Sequence, residues 1–100
     1  MDIAIPVDRA RIAEFCQKWG IVELSIFGSA VRGGFRPDSD VDVLVSFAPG
    51  AGITFDNRVA MQDELCAILG REVDLVEKSN LRNPFRRHSI LTTRQLVYAA

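Results

Sequence analysis

The run Asp40-Val41-Asp42-Val43-Leu44-Val45 constrains the fold more than any other part of the chain. β-branched side chains dominate it. They crowd the preceding turn of a helix and fit the pleated surface of a sheet. Val41 to Phe47 is therefore predicted as a strand. Alternation sends Val41, Val43 and Val45 to one face, toward a core. It sends Asp40 and Asp42 to the other, with Cα atoms ~6.5 Å apart. Two carboxylates held that close repel each other and make poor core residues unless a cation lies between them. Oxygen-only ligands on a rigid strand suit a hard cation such as Mg²⁺. Taken alone, the pair is better read as a solvated acidic strand face, because such pairs are common.

Helix and turn signals surround this strand. Asp8 is a candidate cap for a helix to Trp19, whose stripe Ile12, Phe15, Cys16, Trp19 has amphipathic spacing, with Gly20 ending it. Val22 to Phe27 reads as a strand. Gly28 to Asp38 is a polar turn punctuated by Gly and Pro, with room for a short helix. Ala48 to Gly52 is a loop. Thr54 caps a second helix through Leu69, with Met61, Leu65, Ile68 and Leu69 inward and Gly70 at its stop. Glu72 to Val76 is a third strand. Asn83 before Pro84 opens a third helix, and Gln95 to Tyr98 is a last short strand. Alternating helices and strands predict an α/β or α+β domain, a small mixed sheet flanked by helices.

One hundred residues are expected to form one domain over 1–100. Values of 48% apolar and 25% charged are ordinary for a globular chain. No apolar run approaches the ~20 residues of a membrane span, and the N-terminus does not read as a signal peptide. A net charge of -1 argues against non-specific duplex binding, so no direct nucleic acid partner is expected. Cys16 and Cys66 have no Cys or His at metal-ligand spacing and read as buried free thiols. With the missing signal, they point to the cytoplasm.

Gly28-Ser29 changes the reading of the acidic pair. It follows an apolar strand, where Gly permits close backbone approach and a helix can begin. Free N–H groups and a hydroxyl there form a ready anion site. Ser29 can donate to a phosphate oxygen, or simply cap the helix. Arg32, one turn on, can reach the same anion in a fork, or be a solvated surface residue. Gly33 and Gly34 are turn residues. An anion cradle about ten residues before a carboxylate pair places phosphate beside a divalent metal, the layout of a nucleoside triphosphate site.

The stretch resembles the signature of the nucleotidyltransferase superfamily related to DNA polymerase β. In words, the signature is Gly-Ser, two residues, Arg-Gly, five residues, Ser-Asp, one residue, Asp, two residues, Val. Gly28, Ser29, Arg32, Gly33, Ser39, Asp40, Asp42 and Val45 occupy its fixed positions. The short length resembles the minimal nucleotidyltransferases of the MntA antitoxin type. The resemblance implies a polymerase β-like palm fold. It also implies a third carboxylate from a neighbouring strand, for which Asp74 is the natural candidate and Glu72 and then Glu77 are competitors. It implies that Asp40, Asp42 and Asp74 hold two Mg²⁺ ions, with Asp74 taking the acceptor proton. Gly28, Ser29, Arg32 and Ser39 would bind ATP. The acceptor would be a tyrosine of a HEPN toxin, in a hetero-oligomeric type VII toxin–antitoxin pair. The alternatives are a non-catalytic antitoxin that blocks its toxin by contact, and transfer to a small molecule or RNA.

The remaining residues are weaker candidates. His88 is the only histidine, which disfavours a His-based triad or a zinc site. Arg82, Arg86, Arg87 and His88 read as a solvated face, or as a surface for an acidic partner or nucleic acid. Phe15 and Trp19 are expected in the core. Phe35 and Arg36 read as ordinary loop residues, with Phe35 able to border a nucleotide. The loop Ala48 to Ile53 is a candidate cover for the site.

Overall fold

Asp8 caps the first helix as its position predicts: its Oδ1 accepts from the Arg11 amide at 3.1 Å. The computed structural model describes residues 7–28 and 40–100. The turn expected over Gly28 to Asp38 lies, past Gly28, outside the described residues, as do Phe35 and Arg36. Helix α1 (Arg9–Trp19) ends at Gly20, which takes φ 71° and closes the helix with a bond to the Cys16 carbonyl. Strands β1 (Ile21–Phe27) and β2 (Val41–Phe47) follow. Helix α2 (Phe55–Leu69) is capped by the Thr54 hydroxyl, which accepts from the Asn57 amide at 3.2 Å. Strand β3 (Val73–Glu77) leads through a 3₁₀ turn (Lys78–Asn80) to helix α3 (Pro84–Thr93) and strand β4 (Gln95–Ala99). Asn83 Oδ1 accepts from the Phe85 and Arg86 amides at 3.0 and 3.1 Å, and Pro84 occupies the first turn, where its missing N–H costs nothing.

The sheet is mixed, in the order β3-β2-β1-β4. Strand β1 runs antiparallel to β2 and to β4, whereas β2 and β3 are parallel, a pairing that needs a crossover. Helix α2 is that crossover. Helices α1 and α2 cover one face. There Ile12, Phe15 and Cys16 pack with Leu24, Ile26, Val41, Val43, Val45, Met61, Leu65 and Leu75. The three valines of β2 point into this core, as their alternation predicts. Trp19 differs from its expected place. It sits half-buried at the margin of the core, because its Nε1–H reaches out to Glu64 Oε2 at 3.0 Å. Ile68 is likewise only half-buried.

Helix α3 covers part of the other face, where Phe27, Leu44, Leu81 and Ile90 form a smaller core. Beyond it, toward the start of β1, lies an ionic cluster. Arg94 pairs with Glu23 and donates to the buried Ser25 hydroxyl at 3.4 Å, and Lys78 Nζ lies 3.7 Å from Glu23. The hydrogen bond from Arg94 holds the Glu23 carboxyl below its ordinary range against the opposing pull of burial. Cys16 and Cys66 are free thiols, the first buried and the second half-buried. Among the described residues, no helix is long and apolar enough to cross a membrane.

Candidate active site

The second face of the sheet ends in carboxylates. Asp42 is the second residue of β2 and Asp74 the second of β3, and the parallel register makes them direct partners. Their neighbours Val41, Val43, Val73 and Leu75 all enter the main core, so both aspartates take the opposite face. Neighbouring strands lie ~4.8 Å apart, which puts the two side chains side by side. Asp42 is half-buried and Asp74 exposed.

On its other flank Asp42 pairs with Phe27 of β1, and Gly28 follows at once. Gly28 has φ 76°, in the left-handed region that disfavours residues with a Cβ. A Cβ built there would fall 2.2 Å from Asp42 Oδ2 and 3.2 Å from its Cγ. The Asp42 carboxylate thus lies over the Gly28 backbone in space that any other residue would fill.

Asp40 precedes β2 by one residue and is exposed, at the mouth of the strand pair where the Val41 amide donates to the Glu72 carbonyl at 2.9 Å. Its charge contributes to raising the Cys66 thiol, after burial, which acts most strongly. The structure therefore brings Asp42 and Asp74 together and leaves Asp40 at the rim. Among the described residues, no three His, Cys, Asp or Glu side chains gather closely enough to hold a metal ion by themselves. The competitors for the third carboxylate lie elsewhere. Glu72 is exposed before the start of β3. Glu77 closes β3 at its far end, 3.6 Å from Arg58 Nη1, and accepts from the Ser79 hydroxyl. Ser29, Arg32 and Ser39 fall outside the described residues.

A cleft of about 220 Å³ opens beside Asp42, with Phe27 and Gly28 on the sheet side and Arg86, Ser89, Ile90 and Thr93 on the α3 side. Sequence reasoning left Arg86 in a surface cluster, and Ser89 and Thr93 unassigned. The available signal was their i, i+3, i+7 spacing, one polar stripe beside the buried Ile90. The structure splits the cluster. Arg87 is half-buried and donates to the Lys78 carbonyl at 3.3 Å; Arg82, Arg86 and His88 are exposed, and of these Arg86 lines the cleft.

A larger cleft, about 390 Å³, is bordered by the Ala48 to Ile53 loop, Arg58 and Glu77. It lies at the opposite end of β2 from Asp42, five residues or ~17 Å along the strand. The loop expected to cover the site borders this second cleft instead, because the chain leaves β2 at the end away from the aspartates.

Known proteins share this fold. The nucleotidyltransferase domain family matches residues 9–97. A protein adenylyltransferase MntA from Thermococcus cleftensis is 36% identical over 85 residues, covering 85% of this chain and 81% of the relative. A relative from Methanocaldococcus jannaschii, named for the same activity, is 33% identical over 73 residues, 73% of each chain. Among solved structures, one described as a minimal nucleotidyltransferase superposes with a TM-score of 0.72 at 33% identity, over 87% of this chain and 86% of that one. A toxin–antitoxin complex with AMP-PNP superposes with a TM-score of 0.74 at 19% identity, over 94% and 75%. The chain belongs to the nucleotidyltransferase domain family, in its minimal, MntA-like form.

Proposed function

We propose that this protein moves AMP from ATP to a tyrosine hydroxyl of a HEPN toxin, in a Mg²⁺-dependent reaction, and so serves as the antitoxin of that pair. The observation that carries the reading is the register of Asp42 with Asp74 beside a glycine whose missing Cβ makes room for the Asp42 carboxylate. The relatives named as protein adenylyltransferases support the activity. The partner is supported by a structural neighbour, 17% identical with a TM-score of 0.64. It is a tri-AMPylated HEPN toxin from Shewanella oneidensis in complex with its antitoxin.

The donor set fits Mg²⁺. This ion keeps several waters and takes one or two carboxylates plus substrate phosphates rather than a closed protein cage. Asp42 and Asp74 would hold it, with Asp40 joining from the rim. When bound, the metal neutralises the triphosphate and lowers the pKa of the attacking hydroxyl. The chain's own residues do the rest. Gly28, Ser29, Arg32 and Ser39 position the phosphates. The acceptor oxygen bonds to the α-phosphorus, the bond to the bridging oxygen breaks, and pyrophosphate leaves with that electron pair. Asp74, exposed toward an incoming side chain, takes the hydroxyl proton. The two free thiols suit a reducing compartment, and we place the protein in the cytoplasm.

The test is incubation of the purified protein with labelled ATP, Mg²⁺ and the HEPN product of the neighbouring gene. Label is expected on a tyrosine of the partner and lost in the Asp40→Asn, Asp42→Asn double variant. Neutralisation of the toxin that survives the double change would establish a contact blocker instead. Label on a small molecule or RNA would move the acceptor to another class.

A further inference from the structure

We infer that Arg86 of α3 binds the β- and γ-phosphates of the nucleotide, making α3 the second wall of the nucleotide site. This rests on the nucleotidyltransferase reading of the Asp42 cleft and assigns a residue outside the Gly28 to Val45 motif.

Four observations carry it. First, Arg86 lines the same cleft as Gly28 and Asp42. Second, Arg86 is fixed at its root: Asn83 Oδ1 accepts from its amide at 3.1 Å, and Pro84 sets the first turn of the helix. Third, two nearby arginines are tied into the fold: Arg87 donates to the Lys78 carbonyl, and Arg94 pairs with Glu23 and Ser25. Arg86 is exposed and lines the cleft, whereas the likewise exposed Arg82 and His88 do not line it. Fourth, Ser89 and Thr93 continue its stripe along the same wall. The Thr93 hydroxyl is already engaged, donating to the Ser89 carbonyl at 2.7 Å, so the charged group of this wall is Arg86.

A guanidinium bordering an acidic cleft selects an anion that arrives with its own countercharge. A metal-bound triphosphate is such a ligand, and its oxygens match the planar fork. The cleft offers about 220 Å³, room for phosphate groups. Arg86 would therefore discriminate by phosphate number and leave the base unread.

The experiment is calorimetric titration of ATP and of AMP, each with Mg²⁺, into the full chain and its Arg86→Ala, Arg86→Lys and Arg82→Ala variants. Arg86→Ala is expected to weaken ATP about 10- to 100-fold, the range for a hydrogen bond to a charged group, and to leave AMP within about twofold. Arg86→Lys should recover part of the loss, since it keeps the charge and loses the fork. Arg82→Ala, at an exposed position just before the helix cap and outside the cleft, should match wild type. If wild type binds ATP and Arg86→Ala binds it equally, the assignment of Arg86 is overturned and the nucleotide reading stands. Equal weakening of ATP and AMP would also overturn it, by showing general damage to the cleft. A wild type that binds no ATP overturns both.

Discussion

Asp42 and Asp74 stand side by side across the only parallel pairing of the described sheet, each the second residue of its strand. Like charges in direct register destabilise a sheet. A neutral isostere at the exposed Asp74 should therefore leave the metal-free protein at least as stable as wild type. For Asp74→Asn we expect a gain of up to about 0.5 kcal/mol in chemical denaturation with EDTA present. The same variant should lower AMP transfer by about 10²–10⁴-fold, the usual contribution of a positioned proton acceptor. Stability kept and activity lost is the signature of a functional carboxylate. A loss of both would mark Asp74 as structural.

Gly28 is the second control point. Gly28→Ala meets two costs, a left-handed φ and a Cβ 2.2 Å from Asp42 Oδ2. Gly70→Ala meets only the first: its φ is 69°, and its Cβ would enter open space. Gly70→Ala should cost about 1 kcal/mol in thermal unfolding. Gly28→Ala should cost more, and it alone should abolish AMP transfer, because relief of the clash must displace the Asp42 carboxylate. Equal effects of the two on activity would contradict this account.

How legible these features were depended on their range. The caps Asp8, Thr54 and Asn83, the stops Gly20 and Gly70, and the inward valines of β2 follow from local rules, and the structure has them as read. The pairing of Asp74 with Asp42 needs the register of two strands joined through α2, which no local pattern encodes; only the family resemblance pointed to it. Glu77 illustrates the difficulty, since its pairing with Arg58 of α2 at the far end of β3 is visible only in three dimensions. Arg86 is exposed, as its place in the basic cluster predicts; that it also lines the Asp42 cleft depends on the sheet beneath α3, which no local pattern encodes. Trp19 was placed in the core by the spacing of its helical stripe, although its indole N–H needs a partner and finds one in Glu64.

The Glu23 cluster gives a pH dependence. Its folded carboxyl titrates below its ordinary value of 4.5, chiefly through the hydrogen bond from Arg94. The stabilisation is therefore complete above that value and lost as pH falls through the lowered one. Glu23→Gln should be less stable than wild type by about 1 kcal/mol at neutral pH, as expected for a partly exposed ion cluster. Urea denaturation across pH should show the gap closing on the acid side of 4.5.

The thiols should separate by reactivity. Burial pushes Cys16 up to about 12, so at pH 8 it carries almost no thiolate. Native protein treated with an aromatic disulfide reagent should release about one equivalent slowly, from the half-buried Cys66, and the second only in denaturant. Because the folded thiol titrates above its unfolded value of 9.0, stability should decline as pH rises from 9 toward 12. Two fast equivalents in native buffer would contradict the packing of α1.

In the proposed reaction Asp42 and Asp74 together hold a divalent cation against a bound triphosphate. The most direct measurement is water-proton relaxation on titrating the Mn²⁺ complex of a non-hydrolysable ATP analogue with the protein. Relaxation should be enhanced by wild type and stay at the value of the free Mn²⁺–nucleotide complex with Asp42→Asn or with Asp74→Asn, each variant being folded by circular dichroism. Equal enhancement by wild type and both variants would show that the cation is held elsewhere and that the paired aspartates are only a charged strand face.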